Sequence, residues 1–558
     1  MQMQPFQLRR FGLGALPILD SVIERIGLER TLVEAVGRVR YAHAILLLVK
    51  NVVIERNALY AIAEWAANYD PALVYGGLFG DDVLARALDR LFYTDRASLL
   101  TRVVLQAVKA DGIELAQIHQ DTTSVKLSGA YEHQWRQAVH LVRGYSKDHR
   151  PDLRQLVYEL SVTRDGAIPI LFKAHDGNRT DDSLHWENWQ MLRGLVGRSD
   201  FLYVADSKLC VSETMLQIDR NQGRFLTIVP RTRREVQDFQ AKVEAALVRW
   251  DKVLAQRSSR RHGRIDLYEV ASGIYRMQEG FRLYWFRSSE KARRDCNERE
   301  QKIASAMERL RALADPERKK KATTEPKLRK QADAILARYA VEAWVKVEIA
   351  LEEVVKFRQL TRGRASANTA YRKVVRWLPR ISYARDENAI ARAELMDGTF
   401  PLTTNTDLDA KSVLRAYKYQ PYLEKRHALL KSGLQVAPIF LKRNLRIEAL
   451  MFVYFLAQLL CALLERRLRN AMRESGLSEI QILPEDRPSA TPTTEQVLRV
   501  FNSRSRQLLF SKDGQLVQTF VDPLTPVQQQ ILELLAIPSN VYFEAGDPRK
   551  IAFPHRGM

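Results

Sequence analysis

Three acidic side chains, Asp121, Asp206 and Glu424, have the type and setting that phosphoryl transfer on a nucleic acid would need. Asp121 ends the run Ile118-His119-Gln120-Asp121 and leads into Thr122-Thr123, while Asp206 closes the apolar run Phe201–Ala205 ahead of Ser207-Lys208. Glu424 lies far downstream in Tyr417-Lys-Tyr-Gln420-Pro-Tyr-Leu-Glu424, and Lys431 follows seven residues later. Moving a phosphoryl group with Mg²⁺ calls for hard oxygen donors that hold two ions a few ångströms apart, and carboxylates gathered from distant elements supply them. An Asp on a lone strand also has a plainer use as a turn or cap residue, which weighs against Asp121 taken singly. Asp206 is the stronger candidate, because the C-terminal end of a buried strand is where α/β sheets bind ligands. Tyr417, Gln420, Glu424 and Lys431 are spaced by three, four and seven residues. On one continuous helix that spacing presents a phenol, an amide, a carboxylate and a cation on a single face. The plainer alternative is a solvated amphipathic helix with an ordinary ion pair. Pro421 would kink such a helix unless it stands at the first helical position, which leaves Tyr417 outside.

These residues need elements to position them. Residues 1–110 read as helices: Ser21–Gly27, Tyr41–Ile54 and Asp81–Leu91 carry apolar residues at helical spacing. With Arg9, Arg10, Arg38 and Arg40 nearby, this helical domain could contact DNA. From about 111 the period changes. Gln155–Val162 and Ile168–Lys173 are strand-like and flank Asp165-Gly166, a hairpin signal; Phe201–Ala205 and Arg224–Val229 read as buried strands. A three-strand meander followed by helix–strand–helix–strand is the order of an RNase H-like core, so the expected class is α/β. His119 should face away from Gln120, and Trp186 and Trp189 should be core. Residues 231–375 shift to charged helix, over Ser288–Leu313 and Lys327–Phe357, split by Asp315-Pro316 and Arg318-Lys-Lys-Lys321. They form a mainly helical insertion, the better candidate for DNA or partner contacts. A second part of the core, 376–475, carries the Glu424 segment, and a Pro/Ser/Thr-richer C-terminal region runs over 476–558, where Thr493-Thr494-Glu495 opens a helix.

Composition narrows the partners. The 558 residues hold 87 Lys and Arg against 66 Asp and Glu, a formal charge of +21, which is the footprint of a polyanion binder. Three scattered cysteines, without a CxxC or His/Cys cluster, argue against a zinc site or a disulfide framework and suit a reducing cytoplasm. The N-terminus lacks a signal pattern. One uncharged run, Ala449–Leu464, spans 16 residues, interrupted by Gln458 and bounded by Glu448 and Glu465. That is short of the roughly 18–20 residues a bilayer needs, so a buried core helix, and no membrane, is expected.

With these residues in view, the chain resembles the DDE transposases of the IS4 superfamily, in particular the IS1634-like group. The segment Gly144-Tyr-Ser-Lys147-Asp-His149-Arg150-Pro-Asp-Leu-Arg-Gln155 is similar to that group's motif downstream of the first Asp. Asp176-Gly-Asn178 with Asp181, and Val204-Ala-Asp-Ser-Lys208, fit the same pattern. The superfamily's Tyr-(2)-Arg-(3)-Glu-(6)-Lys signature falls on Tyr417, Gln420, Glu424 and Lys431, with Gln420 in place of the usual Arg. That loses a charge and keeps hydrogen-bonding capacity. The resemblance implies a DNA transposase in which Asp121, Asp206 and Glu424 are catalytic and hold Mg²⁺, with Mn²⁺ able to substitute. Tyr417, Gln420, Lys431, Lys147 and Arg150 would contact DNA. It further implies cut-and-paste chemistry without a covalent protein–DNA intermediate, and terminal inverted repeats and target duplex as partners. A homodimer on DNA and a prokaryotic cytoplasmic, nucleoid-associated setting complete the expectation. A catalytically inactive DNA-binding derivative and a structure-selective RNase H-like nuclease are the alternatives.

Overall fold

The computed structural model describes residues 6–76, 79–129, 131–144, 152–179, 184–257, 264–315, 324–360 and 362–543. It divides into one unit made of 1–227 and 414–558, and a second made of 228–413.

The first unit opens with a strand, β1 (Gln7–Gly12), where helix was expected, so Arg9 and Arg10 belong to a sheet. Six helices follow: α1 (Leu16–Arg25), α2 (Leu28–Val36), α3 (Val39–Ile54), α4 (Ile62–Ala67), α5 (Asp81–Phe92) and α6 (Arg96–Asp111). The expected helical stretches fall on α1, α3 and α5. Next come β2 (Gln117–Leu127), β3 (Arg154–Thr163), β4 (Pro169–Asp176), α7 (Leu184–Val196), β5 (Leu202–Ala205), α8 (Ser212–Arg220) and β6 (Arg224–Ile228). In this unit the sheet order is β4-β3-β2-β5-β6. β3 runs antiparallel to β2 and β4, while β5 runs parallel to β2 and β6. The expected meander, then helix–strand–helix–strand, is present.

In the second unit, α9 (Arg234–Glu244), β7 (Trp250–Arg257), β8 (Ile265–Ala271), β9 (Tyr275–Arg276) and β10 (Arg282–Ser288) lead into α10 (Ser289–Ala314) and α11 (Glu325–Tyr339). β11 (Val345–Gln359) and β12 (Tyr371–Arg385) then form a separate two-stranded ribbon, followed by α12 (Glu387–Glu394) and β13 (Thr399–Thr404). The segment is therefore not mainly helical. The helix expected over Lys327–Phe357 ends at Tyr339, and Val345–Gln359 instead pairs along its length with β12, a pleat that its β-branched residues fit. The boundary placed at 375/376 falls inside β12. Arg318–Lys321 lies outside the described residues.

The chain returns to the first unit through α13 (Ala410–Tyr417), α14 (Gln420–Ala428) and α15 (Asn444–Glu474). The C-terminal region adds β14 (Ile480–Gln481), β15 (Pro488–Ser489), α16 (Thr494–Phe501), β16 (Ser505–Phe510), β17 (Leu516–Val521) and α17 (Pro526–Leu534). Thr493 caps α16 in a capping box with Gln496, as its sequence signals. β16 pairs with both β1 and β17.

Helix α15 is the core of this unit. By length and composition it could cross a bilayer, yet 89% of its apolar window is buried inside the protein. It packs against α1, α3, α5 and β4. Its ends are held by ion pairs: Arg446 grips Asp89 through two 2.7 Å bonds, and Arg466 grips Asp165 in the β3–β4 turn at 2.8 and 2.5 Å. That turn needs Gly166 twice over. Its φ is +78°, and a Cβ would lie 2.8 Å from Cδ of Arg466. Gly166→Ala should therefore cost about 1–3 kcal/mol, read as a lowered urea midpoint at unchanged m-value.

Candidate active site

The parallel pairing of β2 with β5 sets Gln117 opposite Leu202, Ile118 opposite Tyr203 and His119 opposite Val204. Continued by two positions, that register brings Asp121 level with Asp206 on neighbouring strands, which lie about 4.8 Å apart in a sheet. Both carboxylates are partly exposed, at 24% and 43% of their side chains. Asp206 ends its strand as the cap of a short turn, its Oδ1 accepting the Lys208 amide at 3.0 Å, and Thr227 Oγ1 donates to its carbonyl at 2.5 Å. Asp121 Oδ1 accepts its neighbour's amide, from Thr122, at 2.8 Å.

Alternation along β2 gives its two sides different tasks. Gln120 points toward β3 and α7, where its amide donates to the buried Glu159 at 3.0 Å; Glu159 also takes His175 at 2.6 Å and Asn188. His119 faces the other way, as its place in the strand requires. One ring nitrogen lies 2.7 Å from Gln117 and the other 3.0 Å from Gln420 at the start of α14. The Gln420 amide nitrogen also donates to the Gln120 carbonyl at 3.3 Å. Gln420 thus clasps α14 onto the strand that carries Asp121, and both its polar atoms are engaged inside the protein.

Burial holds the His119 imidazole down to about 4; the Gln420 bond raises it only partly, and Arg164 lowers it further. A histidine kept neutral in the fold but titrating near 6.5 when unfolded destabilises the protein as pH falls between those values. In EDTA, stability should drop by roughly 3 kcal/mol from pH 7 to pH 4 through this group, and His119→Gln should flatten that part of the profile.

The four residues expected on one helical face are not on one helix. α13 ends at Tyr417, α14 begins at Gln420 with Pro421 in its first turn, and Lys431 belongs to a π-helical turn, Leu429–Gly433. The break follows from Pro421, which cannot supply the amide that a continuous helix would need. Tyr417 nevertheless lies in the field of two of the carboxylates. Burial first, then the charges of Asp206 and Glu424, push its phenol up to about 12, so it stays a protonated donor. Glu424 is exposed on α14. Among the described residues, no three His, Cys, Asp or Glu side chains stand close enough to hold a metal ion. Asp121 and Asp206 are brought level, and Glu424 does not join them as a ready ligand set. Lys147, His149, Arg150 and Asp181 lie outside the described residues.

Two histidines that sequence reasoning passed over flank the aspartates. His185 on α7, buried, places Nε2 at 3.7 Å from Asp206 Oδ1 while Nδ1 meets the Tyr203 hydroxyl at 3.1 Å. His427 on α14 places Nε2 at 3.8 Å from Asp121 Oδ2. His427 sits one helical turn after Glu424, a spacing that was visible; nothing local marked His185. Trp189 is core as expected, and Trp186 is half-buried and stacked on it at 5.3 Å.

No protein-family model and no curated protein matches this chain. Among solved structures, a piggyBac transposase synaptic complex with hairpin DNA, determined by cryo-EM, is similar over 88% of this chain and 78% of that one, at 8% identity and a TM-score of 0.38.

Proposed function

We propose that this protein is a DNA transposase of the DDE type, built on an RNase H-like core and related to the IS4 superfamily's IS1634-like group. The observation that carries the reading is the level placement of Asp121, within β2, and Asp206, just past the end of the parallel strand β5, beside the helix that bears Glu424. The donor set is carboxylate oxygen without thiolate, which fits a hard divalent cation. Asp121 and Asp206 would hold Mg²⁺ or Mn²⁺, with Glu424 as the third ligand. When bound, the metal supplies the positive charge that makes a hydroxyl nucleophilic and stabilises a leaving oxygen.

The chain's own residues do the rest. Tyr417, kept protonated, would donate a hydrogen bond to a phosphate oxygen beside the cut. Lys431, presented on the π-helical turn, would balance phosphate charge. Gln420 keeps α14 on β2, so it positions Glu424 rather than touching DNA. No side chain needs to form a covalent bond to DNA, because water and then a freed 3′-hydroxyl serve as nucleophiles in turn. Two copies acting on paired ends of the element, and transfer into a target duplex, complete the proposal.

The test is cleavage of a labelled duplex that carries the element's own end. Wild type should nick at the repeat boundary only with Mg²⁺ or Mn²⁺ and should join the freed end to a second duplex. Cutting of branched DNA without joining would instead indicate a structure-selective nuclease. Tight binding with no cutting would indicate a DNA-binding derivative, a reading favoured by the lack of a three-residue ligand group among the described residues.

A further inference from the structure

The β11–β12 ribbon is the feature of the second unit that the proposed chemistry does not use. Its 15-residue strands pair along their whole length, from Val345 with Arg385 to Gln359 with Tyr371, giving a ribbon about 50 Å long. The base is anchored: Val345 joins the core of Ile303, Leu310, Leu336 and Ile390, and Val347, Ile381 and Tyr383 pack against it. Among the described residues, no third strand pairs with the ribbon.

Alternation gives the ribbon two different faces. One carries Leu351, Val355, Phe357, Tyr371, Val375 and Trp377, all exposed, with Phe357 at 67% and Trp377 at 59%. The opposite face carries Lys356, Arg358, Arg372 and Arg376. The cations at the base are neutralised: Lys346 pairs with Asp386, Arg380 with Glu352 and Arg385 with Glu300. The distal ones are not. Residues 354–376 contain seven Lys and Arg and no Asp or Glu, and none of those cations pairs with an acid among the described residues. Concentrating like charge on a bare ribbon works against the fold, so the charge points to a polyanion that neutralises it.

We propose that the distal half of this ribbon is a DNA-binding arm, whose Lys356, Arg358, Arg372 and Arg376 face engages the phosphates of duplex DNA. A two-stranded ribbon is of the width that the major groove admits. Cations at this spacing bind through counterion release without reading sequence. The arm stands independently of the phosphoryl-transfer reading, since it rests on residues that take no part in the carboxylate site.

The experiment uses the full chain carrying Asp206→Ala, in EDTA, so that cutting cannot enter the result. Binding of a fluorescein-labelled random-sequence duplex is titrated by anisotropy at several salt concentrations. Arg358→Ala/Arg372→Ala/Arg376→Ala should weaken binding and flatten the slope of log K against log salt by about 3. Phe357→Ser/Trp377→Ser should leave that slope unchanged. All five positions are exposed, and circular dichroism of each variant checks that the fold survives. A triple-arginine variant with the parental slope overturns the arm. So does that same slope combined with loss of a dimer in the Phe357/Trp377 variant by sedimentation, which would make the ribbon a contact between copies.

Discussion

Arg426→Ala should destabilise the first unit by about 3–5 kcal/mol, more than loss of the Gly166 turn or of the Asp206 cap. Arg426 on α14 is buried, and one of its nitrogens meets Glu465 of α15 at 2.9 Å. The others donate to the carbonyls of Ala167 and Gly166 in the β3–β4 turn, each at 3.0 Å. Alanine would leave Glu465 charged, buried and short of its main partner. Arg469 stands 3.6 Å from the same oxygen, but its guanidinium donates to the Pro492 carbonyl at 2.8 Å, so it compensates only in part. Two turn carbonyls would lose their donors as well. Urea denaturation with the linear extrapolation checks the loss. The double variant Arg426→Met/Glu465→Leu is the informative control. Replacing both charges with apolar side chains should recover most of the loss, because desolvation of the pair offsets much of its attraction. A single variant within about 1 kcal/mol of wild type would show that the pair does not anchor α14.

Asp206→Ala should lower Mg²⁺-dependent end cleavage by about 10³-fold or more while leaving duplex affinity within a few-fold of wild type. The carboxylate caps the Lys208 amide and faces His185 at 3.7 Å, while its backbone carbonyl keeps the Thr227 bond. Loss of the cap should cost about 1 kcal/mol. A large loss of activity with a small loss of stability is the signature of a residue that acts on the reacting phosphate. Equal cleavage by Asp206→Ala and wild type would remove Asp206 from the chemistry, and with it the argument from strand register. Single-turnover gels on the end duplex, with binding measured in Ca²⁺ or EDTA, separate the two effects.

Gln458 shows how sequence and structure divide the explanation. In the sequence it interrupts an apolar run, and that interruption, with the charged flanks, identified a core helix. Only the fold shows its task. Its side chain accepts the Tyr158 hydroxyl at 2.9 Å and donates to the Arg426 carbonyl at 2.8 Å, tying β3, α14 and α15 together. The Gln420 clasp follows the same pattern: a residue that departs from the expected signature serves as a tie between elements 300 positions apart in the chain.

The sequence by itself determined the elements whose signals are local. Strand periodicity marked β3 to β6, the Asp165-Gly166 turn joined β3 to β4, and Thr493 announced α16. It also singled out Asp206, because an apolar run that ends in a carboxylate is legible without any long-range information; Asp121, after Ile118-His119-Gln120, carried a weaker signal when taken singly. Tertiary structure alone decided the pairing register that sets those two aspartates level, since a one-residue slip would turn every side chain to the other face. It placed His185 and His427 beside them, residues from two helices with no shared local signal. It also decided that the charged stretch after Tyr339 is a ribbon, because mixed charged and β-branched residues satisfy either pattern until strand pairing selects one.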